Sequence, residues 1–391
     1  MVEQKATTGF KQTEVGMIPD DWEVRPIKEL SSLMTNGFVG PVKSHYTDYD
    51  NGVLYIQGYN VEENSFNFNG IKRVTTEFHQ KHSKSSLQEG DLLTIQTGDI
   101  GITTVVPQEL EGSNCHALII TRLLKKNAEP KFFSYYFNSS IGRKRLKEIE
   151  TGSTMKHINV GDMKYMLLPY PTLTEQTAIA TALSDTDALI ATLEKLIAKK
   201  QAIKQGAMQE LLRPKEGWEV KKLGEVVQIS KGQMITEKTA TPGSIPVIGG
   251  GMTISYYHDK PNRTVTTITI SASGAYAGYV SIHNSPIFAS DCSTISHSKE
   301  FDIYFLYFTL LEKQREIYNL QTGGGQPHVY PQQLRNLEIH IPKEKHEQTR
   351  IARILSDMDA EIEALEKKLE KYRLLKQGMM QVLLTGKIRL A

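Results

Sequence analysis

The chain has 391 residues, 39% hydrophobic and 23% charged, a balance typical of globular proteins that excludes a disordered chain. At about 100–200 residues per domain, that length predicts two to four units. The 46 basic and 44 acidic residues leave a net charge of +2, so bulk charge does not point to a polyanionic partner.

No run of about 18 apolar residues occurs, so no membrane span is predicted. The first residues, MVEQKATTGFKQTE, hold no apolar stretch, so no secretory signal is expected. Two cysteines, Cys115 and Cys292, cannot build a disulfide framework, and the cytoplasm is the expected compartment.

Residues 1–170 read as a first, mostly β head with an N-terminal extension. Strand-like runs fall at 52–59, 91–96, 103–107 and 117–124, and a single helix with an aromatic face is predicted over 130–149. Those aromatics are expected in the core. A loop, TGSTMKHIN, follows at 151–159, and a tight turn, TGDIG, lies at 97–101. Their short polar side chains and free backbone amides suit phosphate and base-edge hydrogen bonds. Thr97, Ser153, Thr154, Lys156 and His157 are therefore candidates for contact with nucleic acid. The alternatives are a glycine-capped helix end and an ordinary hairpin turn. The basic run Arg143-Lys144-Arg145 with Lys147 reads as either a phosphate contact or a solvated helix face.

Residues 171–214 carry a long helical pattern, with apolar positions Ile179, Leu183, Ile190, Leu193, Ile197, Ala207 and Leu211. Residues 215–342 read as a second mostly β head. Its strand-like runs lie at 245–249, 265–271, 279–283 and 294–296, with one aromatic-faced helix over 301–320. The loop TGGGQPHVY at 322–330 and the turn SGAYAG at 273–278 offer Ser273, Tyr276, Gln326 and His328 as candidates of the same kind. Residues 343–391 carry a second long helix and a tail, with apolar positions Ile351, Leu355, Met358, Ile362, Leu365, Leu369, Tyr372, Met379 and Leu383. Steps alternating between three and four residues make a coiled-coil seam. Lys204 and Lys376 interrupt that seam at equivalent places, where the lysine stem either snorkels outward or fixes the register.

The second half repeats the first. Residues 175–215 and 347–387 align without a gap at an offset of 172, with more than half the positions identical. Upstream the offset is 171: Phe133, Tyr136 and Phe137 match Tyr304, Tyr307 and Phe308, and His157 matches His328. Gly101 and Cys115 match Gly278 and Cys292, and Trp22-Glu23-Val24 matches Trp218-Glu219-Val220. The two cysteines then read as the same buried position in two heads. The predicted fold is α+β: two mostly β heads separated by a pair of long antiparallel helices, with a pseudo-two-fold repeat. Leu183, Ile190, Leu193, Ile197 and Lys204, with Leu355, Ile362, Leu365, Leu369 and Lys376, are the expected spacer residues.

Enzymatic signals are missing. No phosphate-binding loop is found, since Gly323-Gly324-Gly325 runs into Pro327. No nucleotide fingerprint, metal spacing or methyltransferase motif is found either.

The long-helix motifs carry a resemblance. Pro171 leads to Glu175-Gln176, and Pro342 to Glu347-Gln348 one residue further on; the helices close on Gln-Gly-x-Met-Gln-x-Leu-Leu at 205–212 and 377–384. A Trp-Glu-Val start follows Ile18-Pro19 in one half and Pro214-Lys215 in the other. This arrangement resembles the specificity subunit of type I restriction-modification systems over essentially the whole chain. The resemblance implies a non-catalytic subunit whose two target-recognition heads each read half of an asymmetric, bipartite site on double-stranded DNA. It also implies helices that dock two copies of a modification (methyltransferase) subunit, with a motor-nuclease restriction subunit joining for cleavage. No cofactor is expected on this chain; S-adenosylmethionine, ATP and magnesium are implied for the partners. Two alternatives remain: a standalone two-headed DNA-binding regulator, and an adaptor whose β heads bind no nucleic acid.

Overall fold

The computed structural model describes residues 9–153, 156–297 and 301–390. The chain divides into two compact units, Met1–Thr192 with Leu369–Ala391, and Leu193–Lys368. Each unit holds one head and a stretch of both long helices.

In the first head, a four-stranded antiparallel sheet runs in the order Thr103–Val105, Leu92–Ile95, Leu118–Leu123, Ser31–Asn36. Leu92, Leu93, Thr94 and Ile95 are all buried, because both faces of that strand are covered. A second sheet places Val53–Ile56 between Lys72–Val74 and the parallel Asn114–Cys115. The second head repeats this topology. Its four-stranded sheet runs Val280–His283, Thr267–Ser271, Cys292–Ser296, Ile229–Lys231. Its three-stranded sheet places Ile245–Ile248 between Tyr256–His258 and the parallel Phe288–Ala289. A further strand pair closes each head, Glu23–Pro26 with Leu167–Tyr170 and Trp218–Lys222 with Glu338–Pro342.

Three expectations need correction. The helix predicted over 130–149 is two helices, Pro130–Asn138 and Ser140–Glu148, and that over 301–320 is also two, Ile303–Glu312 and Gln314–Asn319. In the first head the break is local capping chemistry: Ser139 is extended, and its Oγ accepts from the Gly142 amide.

The helix alignment is off by two residues. The N-cap residues are Glu129 and Asp302, whose amides donate to the side-chain oxygens of Gln176 and Gln348, at 2.9 and 3.1 Å. The offset there is thus 173, matching Tyr135 to Phe308. Aromatic residues recur along both helices, so a two-residue slip still matched rings with rings. The aromatics do fill the cores: Phe132, Phe133, Tyr136, Phe137, Phe305 and Phe308 are all under 2% exposed.

The cysteines, finally, are not equivalent. Cys115 pairs with Ile56 where Ala289 pairs with Ile248, and Cys292 pairs with Ser271 where Leu118 pairs with Ile95. Both are buried and free.

The long helices span Leu173–Leu211 and Lys345–Leu383, 39 residues each, or roughly 58 Å at 1.5 Å per residue. The Gln of each Glu-Gln motif roots its helix. Besides accepting from the head's N-cap, Gln176 donates to the Pro171 carbonyl and Gln348 to that of Pro342. In the first unit, Ile179 and Leu183 share a core with Leu383 and Leu384, and Asp187 pairs with Lys376 at 2.6 Å, so the helices run antiparallel. In the second, Leu212 packs with Ile351 and Leu355, Lys200 pairs with Glu361 at 2.7 Å, and Lys204 pairs with Asp359. Leu183, Leu193, Ile197, Leu355, Ile362 and Leu369 are buried; Ile190 and Leu365 are half-buried. Burying one such leucine contributes about 1.5–3 kcal/mol.

The tail returns to the first head. Arg389 bonds Asp21 at 2.8 and 2.9 Å and also the buried Glu175, which accepts from Trp22 Nε1 at 3.1 Å. The equivalent indole nitrogen of Trp218 is buried with no hydrogen-bond partner among the described residues.

Candidate functional site

The turn and the loop singled out in each head come together. In the first head, Thr151 and His157 exchange two backbone hydrogen bonds of 2.9 Å, which closes the loop. His157 also bridges to Thr97, and the Ile158 amide donates to the Gln96 carbonyl at 3.0 Å. In the second head, Thr322 and His328 exchange the same two bonds, also 2.9 Å, and His328 bridges to Ser273. The Val329 amide then donates to Ala272 at 3.0 Å, and that of Gly274 to Pro327 at 3.0 Å. Segments more than fifty residues apart in sequence therefore form one surface on each head, built on the same frame.

The turns fold alike. Gly101 donates to the carbonyl of Ile95 and Gly278 to that of Ser271, each at 2.8 Å. Gly101 has φ +84°, and a Cβ there would lie 2.8 Å from a methyl of Leu146, so the turn both needs a left-handed residue and leaves no room for a side chain.

The other candidates lie around these frames. Ser153, Lys156, Tyr276 and Gln326 are exposed; Thr97, His157, Ser273 and His328 are half-buried. Lys156 pairs loosely with Glu150 at 3.5 Å. Thr154 lies outside the described residues. The basic run splits by residue type. Arg143 donates to the Ile100 carbonyl and to Glu63, both at 2.9 Å, and Arg145 donates to the Glu14 carbonyl, so the arginines are structural. Lys144 and Lys147 point to solvent. An open cleft of about 700 Å³ beside the first site is lined by Gly98, Asp99, Arg143, Lys147 and Lys156.

The second site has a tighter pocket of about 270 Å³, lined by Lys231, Met234, Asp291, His328 and Tyr330. The rings of His328 and Tyr330 stack 5.8 Å apart at 15°. Asp291 Oδ2 accepts from Ser273 Oγ. Sequence reading missed Lys231, Met234 and Asp291. They belong to strands and turns distant in sequence, and nothing local marks them. Another cleft of the first unit, about 730 Å³ and lined by residues such as Thr104, Pro130 and Asp187, contains neither the loop nor the turn.

Burial raises the Cys115 thiol well above its ordinary range and the Cys292 thiol to about 12, so neither offers a thiolate. Among the described residues, no group of three or more His, Cys, Asp or Glu side chains is placed to hold a metal ion, and no helix is long and apolar enough to cross a membrane.

A family model described as the type I restriction modification DNA specificity domain matches residues 19–205 and again 215–371. A relative from Methanocaldococcus jannaschii that carries the name of the type I restriction enzyme MjaX specificity subunit is 27% identical, over 97% of this chain and 96% of its own. The specificity subunit of the Escherichia coli enzyme EcoBI is 20% identical over 50% of this chain and 41% of its own. Among solved structures, the S subunit of a type I restriction-modification system from M. genitalium superposes with a TM-score of 0.67 at 19% identity, over 93% of this chain and 96% of that one.

Proposed function

The chain belongs to the family of type I restriction-modification DNA specificity subunits, and we propose that each of its heads reads one half of a split, asymmetric DNA site. DNA sequence recognition is the work of such a subunit, and two copies of the specificity domain fit two-headed recognition. One observation carries the division of labour: the same turn and loop meet in both heads, at Thr97 with His157 and at Ser273 with His328, while the residues mounted around them differ. One frame with two sets of side chains suits two different short sequences. On this reading Thr97, Ser153, Lys156 and His157 approach one half-site, and Ser273, Tyr276, Gln326 and His328 the other. Their hydroxyls, imidazoles and amides are the groups that meet phosphates and base edges.

The long helices support a second part of the proposal. Ile203 and Leu375 are repeat partners, and both are about half exposed, at 47% and 48%. An apolar side chain presented twice at the same place suits one type of partner bound in two copies, the modification subunits. Those would bring S-adenosylmethionine, and a motor-nuclease subunit would bring ATP and magnesium. The chain itself would be non-catalytic.

Charge supplies the test. Residues 20–168 hold 17 basic and 18 acidic side chains, and residues 216–341 hold 10 and 11. Phosphate neutralisation, which supplies most non-specific affinity, needs clustered cations. The purified chain should bind its DNA weakly, and adding the modification subunit should tighten binding by at least about a hundredfold at physiological salt. Fluorescence anisotropy with and without that subunit measures this. Nanomolar, sequence-specific binding by the chain alone would contradict it.

A further inference from the structure

The repeat allows the two heads to be compared strand by strand, which isolates what differs at their sites. Cys115 and Ala289 end the short parallel strands, paired with Ile56 and Ile248. Leu118 and Cys292 open the next strands, paired with Ile95 and Ser271. Two residues intervene in each head, His116-Ala117 and Ser290-Asp291. The amides of His116 and Ser290 make the same bond, to Ile56 and Ile248 respectively, each at 2.8 Å. Ala117 and Asp291 thus hold the same place between the two strands, although Ala117 is left-handed, with φ +49°, and Asp291 is not. In head two that position touches the site directly, because Asp291 bonds Ser273, the residue bridged to His328. The first head has a methyl group where the second has a carboxylate.

The setting of that carboxylate restricts what it can do. One oxygen is occupied by the Ser273 hydroxyl, and the side chain lines the pocket it shares with Lys231, Met234, His328 and Tyr330. A carboxylate only accepts hydrogen bonds. On a surface that meets DNA it repels the phosphates, a cost that a hydrogen bond from a facing donor offsets. The donors on major-groove base edges are the exocyclic amines, N4 of cytosine and N6 of adenine.

We propose that Asp291 is a specificity-determining residue of the second head: Ser273 holds one oxygen, and the other accepts a hydrogen bond from the exocyclic amine of a cytosine or adenine in the half-site that this head reads. The inference rests on the half-site reading above and deepens it.

The test uses the complex of the full chain with its modification subunit and a DNA library randomised through the split site, with methylated products sequenced. The wild-type complex should require an amine-bearing base at one position of the second half-site, and the sequences will show whether it is cytosine or adenine. Asp291→Asn keeps an acceptor for Ser273 and turns the other oxygen into a donor. The preference for that base should fall at least about tenfold and shift toward guanine or thymine. Asp291→Ala, which installs the first head's residue, should relax the same position without the shift. The first half-site should stay unchanged in both variants, which controls for folding and assembly. Two outcomes would overturn the proposal: variants that leave the second half-site as selective as before, or variants that abolish methylation at all sites alike. A wild-type complex that methylates no split site would overturn the half-site reading, and this inference with it, before any variant is compared.

Discussion

Trp22 shows how single residues hold the first head. Its indole donates to Glu175, and Arg389 grips Glu175 and Asp21 together. Those bonds raise the Arg389 guanidinium further above its ordinary range and lower the Asp21 carboxyl, in both cases chiefly through their hydrogen bonds. Removing one partner of a buried pair strands the other, so Arg389→Ala should cost about 3 kcal/mol in denaturant unfolding. Adding Glu175→Gln should recover part of that loss; a double variant less stable than Arg389→Ala would contradict the clasp. Three histidines set a pH dependence. Burial is the main cause that lowers His82, His116 and His283 below the usual imidazole value. The unfolded chain then binds more protons just below about pH 6.5, so these groups stabilise fully above that value and progressively less as the pH falls toward their lowered values. His283 Nε2 lies within hydrogen-bond reach of the Thr269 and Ser281 hydroxyls at 2.9 and 3.1 Å, and His283→Gln should flatten the acid-side decline of the melting temperature between pH 7 and 5. Unchanged pH dependence would remove His283 from this account. At this scale the sequence exposed His157, His328, Thr97 and Ser273, since polar side chains in glycine-rich loops stand out. Asp291 stayed hidden because its role depends on a strand pairing that no local pattern reveals.

The elements were legible where their periodicity was long. Two stretches of about forty residues in a three-four pattern gave the helices, and their near-identity gave the repeat. Short elements were less legible: Ser139 could be read as interior to one helix, and only its capping bond shows that it starts another. The lysines in the seam are resolved by their partners. Lys376 pairs with Asp187 and lies 5.7 Å from the ring centre of Tyr135, whose hydroxyl donates to Asp187 at 2.7 Å. Lys204 pairs with Asp359 and lies 5.4 Å from the ring of Phe308. Each lysine therefore ties the opposing helix to its head, and a shifted register would leave it facing no carboxylate. Lys204→Asp should destabilise the second unit, and Asp359→Lys added to it should restore about 1 kcal/mol, read from a double-mutant cycle of unfolding free energies. Zero coupling would reduce these lysines to solvated interruptions of the seam.

At the scale of the whole molecule, duplication explains the architecture. The long helices kept their sequences and the heads diverged, which is the pattern expected if the helices face one partner type and the heads face different DNA. The heads also carry nearly balanced charge, so composition gave no hint of nucleic acid; that reading came from the family resemblance that the repeat and the helix motifs carry. The central claim is that the heads read independently. Its most direct test replaces residues 20–168 with the first head of another family member, assembles the chimera with the modification subunit, and maps methylated sites by sequencing. The account predicts a new first half-site joined to the original second half-site. A chimera that folds and methylates but changes both halves, or neither, would contradict it.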